Sequence, residues 1–489
     1  MRAFPIFISL AILATAGISS GQVSVQAAGE EPANVELADA SEGKAQKPSL
    51  ISDKTARARD ALKHGQRRDF GPKPTVSEGP LPPEIVDALN VAFGEELRKG
   101  NWSREQTRAL ITIARGEDLR PAWLIADLLR VTYDPTLAAL LSTAAHSLIK
   151  VDLNEDHLWR DMNDHLIAWD VPAPPDYLRI KSDIYTLIVP EWENLFAEGS
   201  IDWRHVSWGG VRIDDRLFDK TDEPCNCIPA ADNPPVTDAA SATWLDDDEI
   251  VFGISVGGEH RAYPRPIMEV REMVNDTLGG RHLGIPYCTL CASAQAYFTD
   301  RMPPGVQRPV LRTSGLLIRS NKVMYDLNSF SIFDTFRGNA VTGPLAERKI
   351  QLEQAGVVTT RWADWKKAHP DTTVLVERLA LGRNPDFRNG RDANGPIFPI
   401  GDVDPRLPIQ EDIVGVVTAA GNPIAFHVKS AEDAIRRGES VTFEEVRLIM
   451  DGGGLRAVNA EGQDIGAHQA FWFAWSQFYP KTALWPQTL

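Results

Sequence analysis

The spacing of hydrophobic residues is helical in the first part of the chain. Between about residues 81 and 200, apolar side chains recur every three or four positions, and proline precedes several of the runs. Ser103 and Gln106 have the spacing of a capping box. The pattern predicts an all-α domain over residues 81–200, and we expect it to pack or to dock a protein partner. The first run consists of Ile85, Leu89, Phe93 and Leu97.

From Trp203 onward the pattern changes to that of β strands. Short runs of Val, Ile and Phe alternate with clusters of Gly, Pro and Asp. The strand–turn–strand pattern that begins at Ile250 and reaches Tyr263 is repeated without a gap from Ile413 to Phe426. Each copy therefore predicts a β-hairpin.

Pairs of tryptophans also repeat in this region. The members of each pair stand three positions apart and share a helix face, so each pair predicts a helix that packs on a sheet through its tryptophans. The predicted fold class is α+β, in which the helical N-terminal domain is followed by an internally duplicated, β-rich α+β domain over residues 203–489. Its half-repeats are expected at about 245–400 and 408–489. The repeated residues are Trp362, Trp365, Pro370 and Thr372 in the first copy, and Trp472, Trp475, Pro480 and Thr482 in the second.

The N-terminus has the pattern of a secretory signal peptide. A short basic start precedes the apolar run from Phe4 to Ile18, and a small-residue cleavage pattern ends at Ala27. We expect residues 1–27 to be removed, with no transmembrane span left after cleavage and a periplasmic or secreted location. Residues 28–80 are rich in Ala, Glu, Lys, Ser and Pro, which predicts a disordered linker.

Composition limits the partners. The chain has 489 residues, and its 67 acidic against 51 basic side chains give a net charge of −16. Nucleic-acid backbones and anionic membrane surfaces repel such a surplus, so we expect neither as a partner. Four cysteines are too few for a disulfide-built scaffold of this length. Whether the protein is an enzyme stays open.

The cysteines carry most of the chemical information. Cys288 and Cys291 form a Cys-x-x-Cys motif just after a strand-like run, and the second half-repeat lacks it. Cys225 and Cys227 stand one residue apart in a loop rich in Pro and Asp. Because alternate side chains diverge in an extended chain, Cys225 and Cys227 are poorly placed to bond each other.

Three interpretations of the four sulfurs remain open. The main hypothesis is a soft-metal site for copper or zinc on Cys288 and Cys291, completed by Cys225, Cys227 or His282. Structural disulfides in a binding or scaffolding module are the first alternative. A thiol–disulfide oxidoreductase is the second, although no evident helix begins at the motif to lower a thiol pKa. Nearby carboxylates, which are more typical of a solvated helix face, are those of Glu269, Glu272 and Asp276.

A series of short motifs gives the second part of the chain a family resemblance. Among them, in order, are Arg261-Ala262-Tyr263-Pro264, Val274-Asn275-Asp276, Tyr287-Cys288 with Cys291, Met324-Tyr325-Asp326 and Asp402-Val403-Asp404-Pro405-Arg406. Over residues 203–489 the chain resembles the bacterial and archaeal family DUF3179, a domain of unknown function. The resemblance implies an exported or membrane-associated setting and brings no established activity.

The chain departs from the family at the cysteine motif and just before it. The family's Tyr-Cys-Pro-Leu-Cys-Gly has Thr289 and Ala292 in place of Pro and Gly. A histidine that relatives carry ahead of Val274-Asn275-Asp276 is absent here. If that histidine is a ligand or a proton carrier, His282 or His260 are the expected substitutes.

Overall fold

The structure is a computed structural model that describes residues 68–221, 223, 225–376 and 396–487. The predicted signal peptide and the first part of the predicted linker lie outside these residues. The protein is a mixed α+β structure. Among the helices described, none has both the length and the apolar character that a membrane span requires.

Helices fill the segment from residue 83 to 194. The predicted capping box is present, because the Ser103 hydroxyl accepts from the Gln106 backbone N–H at 3.2 Å and the Gln106 side chain accepts from the Ser103 N–H at 2.7 Å. The α-helices of this segment are Pro83–Ala92, Glu95–Arg98, Arg104–Arg115, Ala122–Val131, Pro135–Ile149, Leu158–Ala168 and Tyr177–Thr186. Those further along the chain are Arg265–Arg271, Gly343–Glu347, Trp362–Ala368, Val428–Arg436 and Trp472–Phe478.

The last part of the predicted linker packs against these helices. Residues 68–80 have no helix or strand, yet the Phe70 ring is only 8% exposed and lies in the same hydrophobic cluster as the helices. The Trp169 indole donates to the Phe70 carbonyl at 3.2 Å, and Arg68 pairs with Asp161. Phe70, together with the partly buried Val76, thus packs this segment onto the helices.

Twenty-two short strands within the described residues form five sheets. The first sheet has the order β1-β10-β11-β12, the second β13-β9-β7-β6-β2 with β8 beside β7, the third β14-β4-β5-β15-β3, the fourth β21-β16-β17-β22 and the fifth β18-β19-β20. The strands are β1 Val206–Trp208, β2 Ala231–Asp232, β3 Val236–Asp238, β4 Ile250–Val256, β5 Glu259–Pro264, β6 Met273–Leu278, β7 Arg281–Cys288, β8 Ser293–Ala294, β9 Ala296–Phe298, β10 Leu311–Ile318, β11 Asn321–Asp326, β12 Ile332–Phe333, β13 Glu353–Ala355, β14 Val357–Arg361, β15 Thr373–Leu375, β16 Asp412–Val417, β17 Pro423–His427, β18 Val441–Phe443, β19 Val446–Asp451, β20 Gly454–Val458, β21 Ala467–Phe471 and β22 Ala483–Trp485.

The third and fourth sheets have matching topology. Both predicted hairpins are present, as β4–β5 and β16–β17. In each sheet a later strand, β14 or β21, joins the hairpin antiparallel on one side, and a last strand, β15 or β22, joins it parallel on the other. A helix that carries one of the two tryptophan pairs connects those two later strands.

A glycine under a tryptophan ring fixes the register in each of these sheets. A Cβ on Gly253 would lie 2.3 Å from the Trp365 ring, and one on Gly415 would lie 2.2 Å from the Trp475 ring. The two glycines therefore occupy corresponding positions, and Val251 corresponds to Ile413. The gap-free alignment predicted from the sequence is thus one residue out of register along the first strand, where a shift of one residue would reverse the buried and exposed faces.

The helical segment shares its core with the first sheet. One hydrophobic cluster contains Trp123 and Trp192 from the helices together with Trp208 of β1, Leu316 of β10 and Tyr325 of β11. The Trp192 indole also donates to a carbonyl of β10, that of Ser314, at 2.7 Å. The change of hydrophobic spacing near residue 203 marks a change of secondary structure, whereas the packing continues across it.

Candidate dithiol site

Cys288 and Cys291 meet at the end of a strand. Cys288 is the last residue of β7, and Cys291 ends the 3-10 turn Thr289–Cys291 that follows. Both side chains are buried, at 1% and 0% exposed, and both sulfurs are free thiols. Side chains three positions apart lie above one another in such a turn, and the two thiols lie close enough to affect each other's ionisation.

The turn between β10 and β11 directs oxygen atoms at these sulfurs. Arg319 and Ser320 both have positive φ, 46° and 68°, which a two-residue hairpin loop requires. The Cys291 Sγ lies 3.4 Å from the Ser320 carbonyl oxygen and 2.7 Å from Oδ1 of Asn321. The Cys288 Sγ lies 3.9 Å from the same Ser320 oxygen. Oxygen acceptors favour the protonated form of the Cys291 thiol.

A buried ion pair lies beside the two cysteines. The Lys322 Nζ is 2.6 Å from Oε2 of Glu272, and their side chains are 5% and 6% exposed. Thr289, which stands between the cysteines, donates its hydroxyl to the other Glu272 oxygen at 3.3 Å. We call Cys288, Cys291, Glu272 and Lys322 the dithiol cluster.

The environment separates the acidities of the two thiols. Burial by itself raises the pKa of Cys288. The interaction with Cys291 and the charge and backbone N–H of Lys322 outweigh this effect, so the pKa of Cys288 lies below its usual value. Burial raises the pKa of Cys291 well above the usual range, and contact with Cys288 adds to this. The pair therefore loses its first proton at Cys288, where a thiolate would be a nucleophile, and keeps the other at Cys291.

An apolar segment belongs to the same hydrophobic cluster as the two cysteines. Phe398, Ile400, Val403, Leu407 and Ile409 lie in one hydrophobic cluster with the two cysteines. We call residues 398–409 the covering segment. The same cluster includes buried side chains of the fourth sheet and of the helix that follows β21. The dithiol cluster thus lies where the end of β7 in the second sheet meets the β10–β11 turn of the first sheet, and its cysteines share a hydrophobic cluster with the fourth sheet and the covering segment.

The helical segment holds the covering segment in place. One oxygen of Asp164 accepts from the backbone N–H groups of Ile400 and Gly401, each at 2.8 Å. Gly401 has φ 69°, and a Cβ there would lie 2.4 Å from the Ile167 side chain. The Ile400 carbonyl also accepts from Nε2 of Gln477 at 2.9 Å. This short stretch is thus held both by the helical segment and by Gln477 of the helix Trp472–Phe478.

The sequence-based expectation for Cys225 and Cys227 is wrong, because these two residues form a disulfide with each other. Their Cα atoms are 5.2 Å apart, within the usual range for a disulfide, whereas two residues along an extended strand advance by roughly 6.6 Å. The loop is turned at Asn226, and this turn brings the sulfurs together. In this bonded form neither sulfur is a thiolate ligand for a metal at Cys288 and Cys291.

Asp214 provides a third potential metal donor at this loop. Its carboxylate and the sulfurs of Cys225 and Cys227 all lie within 4.8 Å of one another. However, Arg216 binds both Asp214 oxygens, at 2.6 and 2.7 Å, and the Ala230 backbone N–H donates to one of them at 2.8 Å. The carboxylate is therefore already satisfied by the protein.

His282 does not approach the dithiol cluster. It is the second residue of β7 and Cys288 is the last, so the rise along the strand separates them by roughly 20 Å. The His282 ring contacts the Thr277 hydroxyl at 3.1 Å. His260 is engaged in another sheet, where it stacks on His369 with a centroid distance of 4.0 Å. Among the described residues, no histidine or carboxylate forms a three-donor group with Cys288 and Cys291.

The carboxylates near the motif have separate roles. Glu272 is buried in the dithiol cluster, so the expectation that it lies on a solvated helix face is wrong. Asp276 lies on β6 and pairs with Arg261 at 2.7 Å, and Glu269 lies 3.9 Å from Arg265. Sequence reasoning missed Lys322 and Asn321, which come from another hairpin about thirty residues away. Their only signal is the polar character of the positions after the β10–β11 turn.

Comparison with known proteins gives one match. The family model described as "Protein of unknown function (DUF3179)" matches residues 225–464, a range that includes both cysteine pairs. No curated protein and no solved structure matches the chain.

Proposed function

Residues 225–464 belong to the DUF3179 family of proteins of unknown function, and from that premise we propose that the chain is a thiol–disulfide redox protein whose working centre is Cys288 and Cys291. One observation carries the proposal: two free thiols with opposite pKa shifts are in contact beside the buried Lys322–Glu272 pair. Perturbed acidities at a dithiol are typical of exchange sites.

The reaction would begin with Cys288 and involve a partner disulfide. The Cys288 thiolate attacks one sulfur of the partner, and the other partner sulfur leaves as a thiolate. Cys291 then gives up its proton and attacks the Cys288 sulfur, which releases the second partner thiol. The cysteine pair is oxidised by two electrons to a disulfide, and the partner is reduced to two thiols.

Access to the sulfurs would depend on the covering segment. Both cysteines are buried, so a bulky partner reaches Cys288 only when the apolar side chains of residues 398–409 move away. A small disulfide needs a smaller opening. We therefore propose that exchange is slow with protein disulfides and faster with low-molecular-weight ones.

The proposal is tested by titrating the full chain against buffers of reduced and oxidised glutathione. Alkylation and peptide mass spectrometry would report the redox state of Cys288 and Cys291. We expect one two-electron transition that links the two residues, and a Cys291→Ser variant should trap Cys288 as a mixed disulfide. Thiols that remain free at every ratio would overturn the proposal, and so would a disulfide that forms only after unfolding.

A soft-metal site on the same two sulfurs is a second candidate. Two adjacent buried sulfurs that are not bonded to each other suit a two-coordinate copper(I) ion, because thiolates are soft ligands. Zinc has less support, since it usually takes four ligands and the described residues supply no third histidine, cysteine or carboxylate here. Metal analysis of protein purified without chelators distinguishes the candidates: stoichiometric copper that a Cys291→Ser variant loses would favour the metal.

We also propose that the protein is exported and that its helical segment contacts a partner protein. Export is supported by the N-terminal sequence pattern and by the Cys225–Cys227 disulfide, because disulfides persist in oxidising compartments. The matching strand order of the third and fourth sheets further supports an internal duplication, in which only the first copy carries the dithiol.

A further inference from the structure

The Cys225–Cys227 disulfide encloses a single residue. A disulfide that stabilises a fold does so by restricting the unfolded chain, and the effect grows with the number of residues in the closed loop. Here the loop is nearly as short as a disulfide allows, with a sequence separation of two. The bond joins no distant parts of the protein, so mechanical support does not explain it.

The two sulfurs differ in accessibility. Cys225 is half-buried and Asn226 between them is exposed, whereas the Cys227 side chain is only 1% exposed. Cys225 is therefore the more accessible of the two to a thiolate from solvent, which makes Cys227 the leaving group. The Asp214 carboxylate would repel the departing thiolate, but Arg216 binds Asp214 on both oxygens and offsets its charge.

The loop is connected to the rest of the protein through its backbone. The Arg212 N–H donates to the Asn226 carbonyl at 3.0 Å, and Arg212 and Cys227 form an isolated parallel β-bridge. The Arg212 guanidinium binds Glu191 at 2.8 Å, in the last turn of the helical segment. These backbone contacts do not involve the sulfur atoms, so they can persist when the sulfur–sulfur bond is open.

We propose that Cys225 and Cys227 form a second redox site, a surface disulfide that a dithiol reduces in the folded protein. The reductant's thiolate attacks the Cys225 sulfur, the bond breaks, and Cys227 leaves and takes up a proton. The second thiol of the reductant then attacks the mixed disulfide and releases Cys225 as a thiol. Two electrons pass to the protein, and the reductant becomes a disulfide. This site goes beyond the proposed function and does not depend on it.

The test uses the full chain with Cys288→Ser and Cys291→Ser, so that Cys225 and Cys227 are the only cysteines left to be alkylated. The protein is equilibrated in mixtures of reduced and oxidised dithiothreitol, alkylated, and analysed by peptide mass spectrometry, with circular dichroism recorded in parallel. We expect reversible, paired alkylation of Cys225 and Cys227 while the circular dichroism spectrum stays that of the oxidised protein. Alkylation that appears only together with unfolding would overturn the proposal.

Two further measurements keep the result interpretable. The same peptide can be followed in the unmodified chain, which answers the question even when the serine variant folds poorly. A Cys225→Ser, Cys227→Ser variant should unfold at the same urea concentration as the unmodified protein. A clearly lower midpoint would identify the bond as a structural staple and contradict the second redox site.

Discussion

The Nζ of Lys322 lies 2.6 Å from Oε2 of Glu272 in the interior of the protein, next to the two free thiols. Glu272 ends the helix Arg265–Arg271 and Lys322 lies on β11, fifty positions further along the chain. Buried ion pairs contribute little net stability compared with apolar packing, so retention of this pair in the interior suggests a chemical role. The charges act on Cys288 in opposite directions, since Lys322 lowers its pKa and Glu272 raises it.

The first prediction distinguishes the effects of the Lys322 and Glu272 charges on the pKa of Cys288. Lys322→Met should raise the pKa of Cys288 and slow its alkylation at neutral pH, and Glu272→Gln should lower that pKa and speed alkylation at lower pH. Each single variant should lose about 3–5 kcal/mol of stability, because it leaves one buried charge unpaired. The pH dependence of iodoacetamide labelling at Cys288 and urea unfolding measure the two effects.

The double variant Lys322→Met, Glu272→Gln provides the control for folding. It removes both charges together, so most of the lost stability should return. Arg437→Met, which breaks the exposed pair with Glu439, is the control for loss of a positive charge and should change neither readout. Shifts of the Cys288 pKa in the same direction in both single variants would contradict the prediction.

A second prediction concerns access to the dithiol cluster. Asp164→Ala removes the oxygen that accepts from the backbone of Ile400 and Gly401, so the covering segment should open more often. Loss of about 1.4–3 kcal/mol from this contact corresponds to a rise of roughly 10- to 100-fold in the population of open states. The rate of alkylation of Cys288 under native conditions measures this rise in open states.

The control for this experiment is Asp156→Ala, which changes an exposed acid in the same helical segment. It should leave the alkylation rate unchanged. Equal rates for the Asp164 and Asp156 variants would mean that the covering segment does not limit access to the sulfurs.

The sequence predicts local features of this fold well. The capping box at Ser103, both hairpins and the two tryptophan-bearing helices follow from spacing within a few residues. The sequence alignment of the first strands of the two similar sheets is wrong by one residue. The second hairpin has one residue more than the first, and this residue lies in its turn, where side chains make few contacts. Only the glycine that faces each tryptophan ring reveals the correct alignment.

The candidate site is less visible in the sequence because its parts are distant along the chain. The Cys-x-x-Cys motif indicates sulfur chemistry, but Glu272, just before β6 of the second sheet, and Lys322, on β11 of the first sheet, come together only in the folded protein. Ala292, which stands where the family has glycine, has φ 49°, a conformation that a glycine would adopt without strain. The disulfide at Cys225 depends on the backbone bend at Asn226, and residue spacing alone does not reveal it.

A third prediction tests the role of the glycines under the tryptophan rings. Gly253→Ala and Gly415→Ala would each place a Cβ within about 2.3 Å of a buried indole ring. Overpacking of this kind costs about 1–3 kcal/mol. Gly79→Ala, where the nearest atom lies 3.7 Å from the added Cβ, is the matched control in urea unfolding. Unfolding midpoints equal to that of the Gly79 variant would contradict the assigned register.

The last prediction concerns pH and rests on a buried histidine of the fourth sheet. His468 is 1% exposed, and burial lowers its pKa to about 3. Side-chain amides of Gln295 and Gln354 lie at its two ring nitrogens, at 3.2 and 2.9 Å. The folded protein therefore holds this imidazole neutral at pH values where an unfolded chain protonates it.

The direction in which stability changes with pH follows from proton binding by the folded and unfolded states. Below pH 6.5 the unfolded state binds the proton and the folded state does not, so stability is complete above pH 6.5 and decreases as the pH falls toward 3. At pH 5 the loss from His468 is about 2 kcal/mol. His205, whose pKa burial lowers to about 4, adds to the same trend.

The measurement is the free energy of unfolding between pH 7 and 4.5 for the unmodified chain and for His468→Gln. Glutamine keeps a polar group between Gln295 and Gln354 but binds no proton, so the variant should lose about 1.4 kcal/mol less per pH unit at the acidic end. His205 contributes equally to both proteins and cancels in the comparison. His146→Gln, at a partly exposed histidine beside Glu155, is the control for loss of an imidazole. Parallel curves for the unmodified chain and His468→Gln would mean that His468 takes up its proton as readily in the folded protein as in the unfolded one.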